Sequence, residues 1–216
     1  MAEAYVALDA ARQDGRLKRL AIIIEQPAFG LAKAEQLRRL LSGVRSAGNA
    51  VDCHLDTAGE GTNGTLAYYV ATACDHVSLS PPGELNLLGL YSTGFFLRSA
   101  LDKLQIDPQF STQGAYKSAA ETYTRTDYSP EAQQAVEQVL DRYFDVLVDG
   151  IAERRDLAPE RVRELIDGAP YGAEQALELG LIDEIAYPDQ FRQRIDEAVG
   201  GKPDRADLKR YAQSKR

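Results

Sequence analysis

Histidine and cysteine are scarce, with two of each in 216 residues. Cys53 and Cys74 belong to no CxxC pair, and His54 and His76 lack ligand spacing. A metal centre is therefore not expected. A disulfide between the cysteines is open, but two buried thiols are the ordinary reading. Basic residues are also short: 25 Lys and Arg against 33 Asp and Glu leave a net charge of −8. Nucleic acid and acidic membrane surfaces both require a basic footprint, so neither is expected as the main partner. The C-terminal "DLKRYAQSKR" is too short and mixed to supply one. No apolar run reaches the 18 residues of a membrane span, and no basic-then-apolar leader opens the chain.

Several motifs are missing too. "GEGTNG" lies between a strand-like and a helix-like stretch, where phosphates can bind. It matches neither GxGxxG nor GxxxxGK[ST], so it reads as a plain loop and no cofactor is expected. No GxSxG elbow accompanies either histidine. His54 and His76 are expected as core or edge residues of strands, and Asp52 and Asp56 as solvated carboxylates.

What is present is 44% hydrophobic residues, enough for a sizeable core. Residues 5–15 read as a helix stopped at Asp14-Gly15. "LAIIIE" (Leu20–Glu25) reads as a strand buried on both faces. "LAKAEQLRRLLSGVRSAG" predicts a helix with Leu37, Leu40, Leu41 and Val44 on one face. "NAVDCHLD" predicts a strand, "TLAYYVATACD" a small-residue helix and "HVSLSP" another strand. This alternation means βα units, hence an α/β fold with a mainly parallel sheet and flanking helices.

Beyond Pro81, "ELNLLGLYSTGFFLRSALDKLQI" predicts a strand feeding a helix that contains Phe95, Phe96, Leu97, Leu101 and Leu104. The strongest helix opens at "SPEAQQ". Ser129 is its N-cap, Pro130 and Glu131 suit the first turn, and its apolar face includes Val136, Val139, Leu140, Tyr143 and Leu147. "APERVRELID" and "GAEQALELGLIDEI" add two helices and a short strand. One domain is expected over residues 1–199, with a polar linker or tail at 200–216. Because it opens on a helix, the chain is expected to start inside a longer protein and to lack the domain's first strand.

Lys117 stands apart. In "STQGAYKSAAETYTR" it sits among small and hydroxyl residues, with no acid before Glu121. A lysine can serve a serine nucleophile as general base if it is neutral. That requires roughly 3 units of depression from about 10.4, or about 4 kcal/mol. Desolvation without a carboxylate partner can supply it. Composition alone still makes a solvated surface lysine the ordinary reading.

"GAYKSAAETYTRTDYSPEA" resembles the lysine segment of the signal peptide peptidase A (SppA) family of Ser-Lys proteases. The resemblance is carried by Gly114, Tyr116-Lys117-Ser118-Ala119, Thr124-Arg125 and the helix opening at Ser129. "AYYVATACDHVSLSPPGELNLLGL" is similar to that family's nucleophile-side helix and strand. "GAPYGAEQALELGLIDEI" is similar to an ending shared across the Clp protease/crotonase superfamily. The resemblance implies a Clp protease/crotonase-like spiral of ββα units. It also implies cleavage of leftover signal peptides and similar apolar peptides, and Lys117 as general base. By the same resemblance the full protein would be a homo-oligomer anchored at the bacterial inner membrane, its soluble domain outside the cytoplasm.

Two departures bear on this. Where the family carries its serine nucleophile, "TNGTLAYYVA" has Thr65, and no serine lies between Ser46 and Ser78. Where the family's oxyanion loop has adjacent glycines, "EQPAFG" has Ala28 and Phe29 and keeps only Gly30. Long members of the family carry two tandem copies of the fold, with lysine on the first and serine on the second. The chain is therefore expected to be an N-terminal, lysine-donating copy whose partner is a C-terminal serine-bearing domain. Three alternatives stay open: a self-contained Thr65–Lys117 hydrolase, a non-catalytic scaffold or oligomerisation domain, and an acyl-CoA-binding crotonase relative. The apolar "LNLLGLYSTGFFL" would serve as a peptide groove, a subunit interface or plain core.

Overall fold

The βα alternation of the first half builds a four-stranded parallel sheet. A computed structural model describes residues 2–25 and 29–214. Helix α1 (Ala2–Ala11) precedes β1 (Arg19–Ile24), α2 (Leu31–Ser46), β2 (Ala50–Leu55), α3 (Thr65–Ala71), β3 (His76–Leu79) and β4 (Glu84–Leu85). There follow α4 (Arg98–Lys103), a 3-10 turn (Ser118–Ala120), α5 (Glu121–Thr124) and α6 (Pro130–Arg155). The last elements are α7 (Pro159–Asp167), β5 (Tyr171–Gly172), α8 (Ala173–Glu178), β6 (Glu184–Ile185), α9 (Pro188–Ala198) and α10 (Leu208–Ser214). The main sheet runs β1-β2-β3-β6, all parallel, and β4 pairs antiparallel with β5. The expected α/β class, a mainly parallel sheet with flanking helices, is what the chain forms.

Position in the sheet decides burial. In β2, between two neighbours, Val51 through Leu55 are all buried. β1 was expected to be covered on both faces. It lies instead at one end of the strand order, and its side chains alternate, with Ile23 exposed. Leu41 and Val44 of α2 are buried as their spacing predicts, whereas Leu37 and Leu40 are half-buried. Tyr68 and Tyr69 of α3, Leu147 and Ile151 of α6, Leu165 of α7 and Phe191 of α9 are fully or almost fully buried. Each such side chain contributes about 1.5–3 kcal/mol of transfer free energy.

The chain divides into two compact units within the span expected as one domain, residues 1–199, and its tail. The first comprises Met1–Gly89 and Leu147–Arg216, the second Leu90–Val146. The tail is also not simply a linker. Residues Leu208–Ser214 form α10, which packs on α1 with Ala212 buried and the Tyr211 hydroxyl donating to Asp14 at 3.0 Å. Sequence polarity hid this because the buried part of the tail is small.

The second unit has little core. Among its residues only Ser129 and Ala132 are buried. Phe96 meets Tyr128 edge to face at 5.1 Å, Phe110 stacks on Tyr123 at 5.5 Å, and the Leu97 N–H bonds the Thr122 carbonyl at 2.6 Å. Phe95 and Phe96 precede α4 instead of lying within the predicted helix. Phe95, Leu104, Val139 and Tyr143, all read as members of apolar helix faces, are exposed. A 3.6-residue period marks which side of a helix is apolar, not what covers it.

Candidate active site

The Lys117 segment is shaped by a turn. Gly114 has φ +91°, a conformation that penalises any residue with a Cβ, and the Lys117 N–H bonds the Gly114 carbonyl at 3.2 Å. Lys117 then enters the 3-10 turn and α5. Its side chain is exposed, and no side chain of the second unit bonds its amine. Aromatic neighbours are exposed beside it in sequence: Phe110, Tyr116 and Tyr123.

Two contacts tie this segment to α6. The Glu121 carboxylate accepts from the Ser129 hydroxyl at 2.6 Å and the Ser129 N–H at 3.0 Å. These bonds hold the Glu121 carboxyl below the usual carboxylate range. Ser129 Oγ in turn accepts from the Ala132 N–H at 3.2 Å, so the predicted N-cap is present. On the other side of Lys117, the Tyr116 hydroxyl donates to Gln134 Oε1 at 3.0 Å. In the sequence these residues signal only a capped helix; the pairing of Glu121 with Ser129 had no signal of its own.

Thr65 is the first residue of α3 and is fully buried. Its N–H donates to Asn63 Oδ1, and its Oγ1 accepts the Gly89 N–H, both at 2.9 Å. Asn63 also bonds the Gly89 carbonyl, at 2.7 Å. Asn63 and Thr65 thus grip one residue, Gly89, of the loop after β4. Of the oxyanion-loop segment, Gln26, Pro27 and Ala28 lie outside the described residues. Gly30 caps α2 in an extended conformation.

The first unit brings a second set of polar residues together. His54, fully buried in β2, has Nδ1 2.8 Å from Ser78 Oγ and Nε2 3.2 Å from Asp56. Its ring stacks on Phe191 at 5.2 Å. Burial lowers its pKa, against the opposing pull of Asp56. This set has the residue types of a hydrolytic triad, but Ser78 is fully buried, out of reach of a substrate. His54 is thus a satisfied core residue, as the sequence predicts.

Asp52 is not solvated. It is fully buried and paired with Arg19 at 2.5 Å and Arg194 at 2.8 Å. Asp56 is exposed, as expected. The cysteines are also not thiols: Cys53 and Cys74 form a disulfide, with Cα atoms 5.9 Å apart. A separation of 21 residues does not reveal this pairing; the return of the chain beside β2 after α3 creates it.

Residues 57–202 match the model of peptidase family S49. The chain belongs to that family. It is 27% identical over 206 residues to the chloroplastic serine protease SPPA of Arabidopsis thaliana, covering 94% of this chain and 30% of that one. It is 29% identical over 141 residues to Protease 4 of Salmonella typhi, covering 62% and 23%. Protease 4 of Haemophilus influenzae is 26% identical over 157 residues, covering 72% and 25%. This S49 chain therefore spans between 23% and 30% of the length of these relatives. The expected membership of the SppA family stands with this match. The family match spans both Lys117 and Thr65.

Proposed function

We propose that this S49 chain is the base-donating half of a serine protease, with Lys117 as general base and the nucleophilic serine on a second, C-terminal S49-like domain. The observation that carries this reading is a contrast. Lys117 is exposed and bonded to no side chain of its unit, whereas Thr65, at the nucleophile position, is fully buried with its hydroxyl engaged. In the complete site the lysine amine takes the serine proton as the hydroxyl attacks a peptide carbonyl, then gives a proton to the departing amine. Water resolves the acyl-serine by the same proton relay. Excluding water from around a lysine favours its neutral form, which a covering domain would do.

The exposed aromatic residues of the second unit support both a covering domain and apolar peptide substrates, signal peptides among them, in a homo-oligomeric assembly. No described helix is long and apolar enough to cross a membrane. Anchoring at an inner membrane would therefore come from sequence other than these helices. The Cys53–Cys74 disulfide supports folding outside the reducing cytosol.

A scaffold role is the second reading, favoured by the same exposed apolar residues. Hydrolysis of a fluorogenic apolar peptide separates the two. The expected result is no turnover by this chain alone, and turnover once the serine-bearing domain is supplied, lost in Lys117→Ala. Lysine-dependent turnover by the chain alone would overturn the split site. Turnover indifferent to Lys117 would leave the scaffold role.

A further inference from the structure

We infer that Glu121 is a positioning residue for Lys117, acting by bracing the lysine segment against the first turns of α6. This rests on the reading of Lys117 as general base. A base works only if its amine is presented at a fixed place, because a misplacement of about 1 Å can cost ~100-fold in rate. Yet the segment has little to fix it. Lys117 is followed by a three-residue 3-10 turn and a four-residue helix, neither with a buried residue. Isolated helices shorter than about 12 residues are marginal in water.

The missing rigidity comes from α6, a helix of 26 residues. Glu121 opens α5, and both its oxygens are taken by one residue: Oε1 by the Ser129 hydroxyl at 2.6 Å and Oε2 by the Ser129 N–H at 3.0 Å. Charge-assisted bonds of this kind are stronger than neutral ones, and a carboxylate is favoured beside a helix N-terminus. Ser129 is a good anchor. It is one of the two buried residues of its unit and also caps α6 through the Ala132 N–H. The Tyr116 hydroxyl reaches Gln134, five positions along from Ser129. Lys117 thus lies between two tethers to the same helix.

The arrangement also disposes of a competing interaction. An acid four residues after a lysine commonly pairs with it on a helix. Here Ser129 occupies the carboxylate, and Glu121 makes no ion pair with Lys117. The segment thus uses its nearest acid for geometry, and among the described residues of the second unit no acid pairs with Lys117.

The test uses the complete protein, including its serine-bearing domain. Glu121→Gln keeps the size but presents an NH2 group where an acceptor is needed. Its kcat is expected to fall at least ~10-fold, with KM within about twofold. Amide hydrogen exchange over residues 114–120 is expected to accelerate. Glu137→Gln, on the exposed surface of α6, is expected to change neither. Ser129→Ala should also lower kcat, and the two effects should be less than additive in the double variant, because both variants break the hydroxyl–carboxylate bond.

If Lys117→Ala abolishes turnover while Glu121→Gln leaves kcat and exchange unchanged, the bracing inference is wrong and the base assignment survives. If Lys117→Ala retains turnover, both fall. Faster exchange without a drop in kcat would also overturn the inference, since the bracing would then be structural only.

Discussion

Asp52 and Arg194 meet at 2.8 Å across 142 residues of sequence. Arg19 closes on the same carboxylate from the start of β1, and Arg194 also lies 3.0 Å from Glu184, which faces His76 at 3.0 Å. The network thus links all four strands of the main sheet to α9. Removing the Asp52 charge leaves two guanidinium groups close together with too little negative charge between them. Asp52→Asn is expected to destabilise the fold by about 3 kcal/mol. That is the lower end of the range for breaking a buried pair, because both arginines keep partial access to water. Urea unfolding followed by circular dichroism measures it.

The Cys53–Cys74 disulfide closes a loop that contains the whole approach to α3, including Thr65. For a separation of 21 residues, loop-closure entropy gives about 3 kcal/mol of stabilisation. Reductant, or Cys53→Ala with Cys74→Ala, is expected to lower the melting temperature by several degrees. Intact mass before and after alkylation should show two protected thiols in the untreated protein.

His54 gives the fold a pH dependence of definite sign. Burial holds its pKa below the usual value of 6.5. The unfolded chain therefore binds a proton at His54 at a higher pH than the folded chain does. The resulting stability is fully present above the unfolded pKa and is lost as pH falls through the folded one. Unfolding free energy is expected to decline as pH is lowered from 7 through 6. His54→Asn should flatten that part of the curve. An unchanged slope would assign the dependence elsewhere.

Local chemistry was legible in the sequence where local rules govern. Ser129 and Pro130 opened α6 as helix-capping preferences require, and Gly180, at φ +72°, ended the turn after α8. The Leu41 and Val44 face of α2 followed from helical spacing alone. What remained hidden depended on partners distant in sequence. The charge of Asp52 in a strand gave no hint of Arg194, and the cysteine spacing gave none of the bond. Val139 and Tyr143 fitted the helical period yet are exposed. The Lys117 segment was recognisable by its residue types, but its bracing through Glu121 and Ser129 emerged only in three dimensions.

The packing of α10 on α1, with Tyr211 bonded to Asp14, brings the two extremities of the first unit side by side. Residues 197 positions apart in sequence are thereby held against each other. The α1–α10 contact closes the first unit on itself, so loosening either helix would also uncover the other.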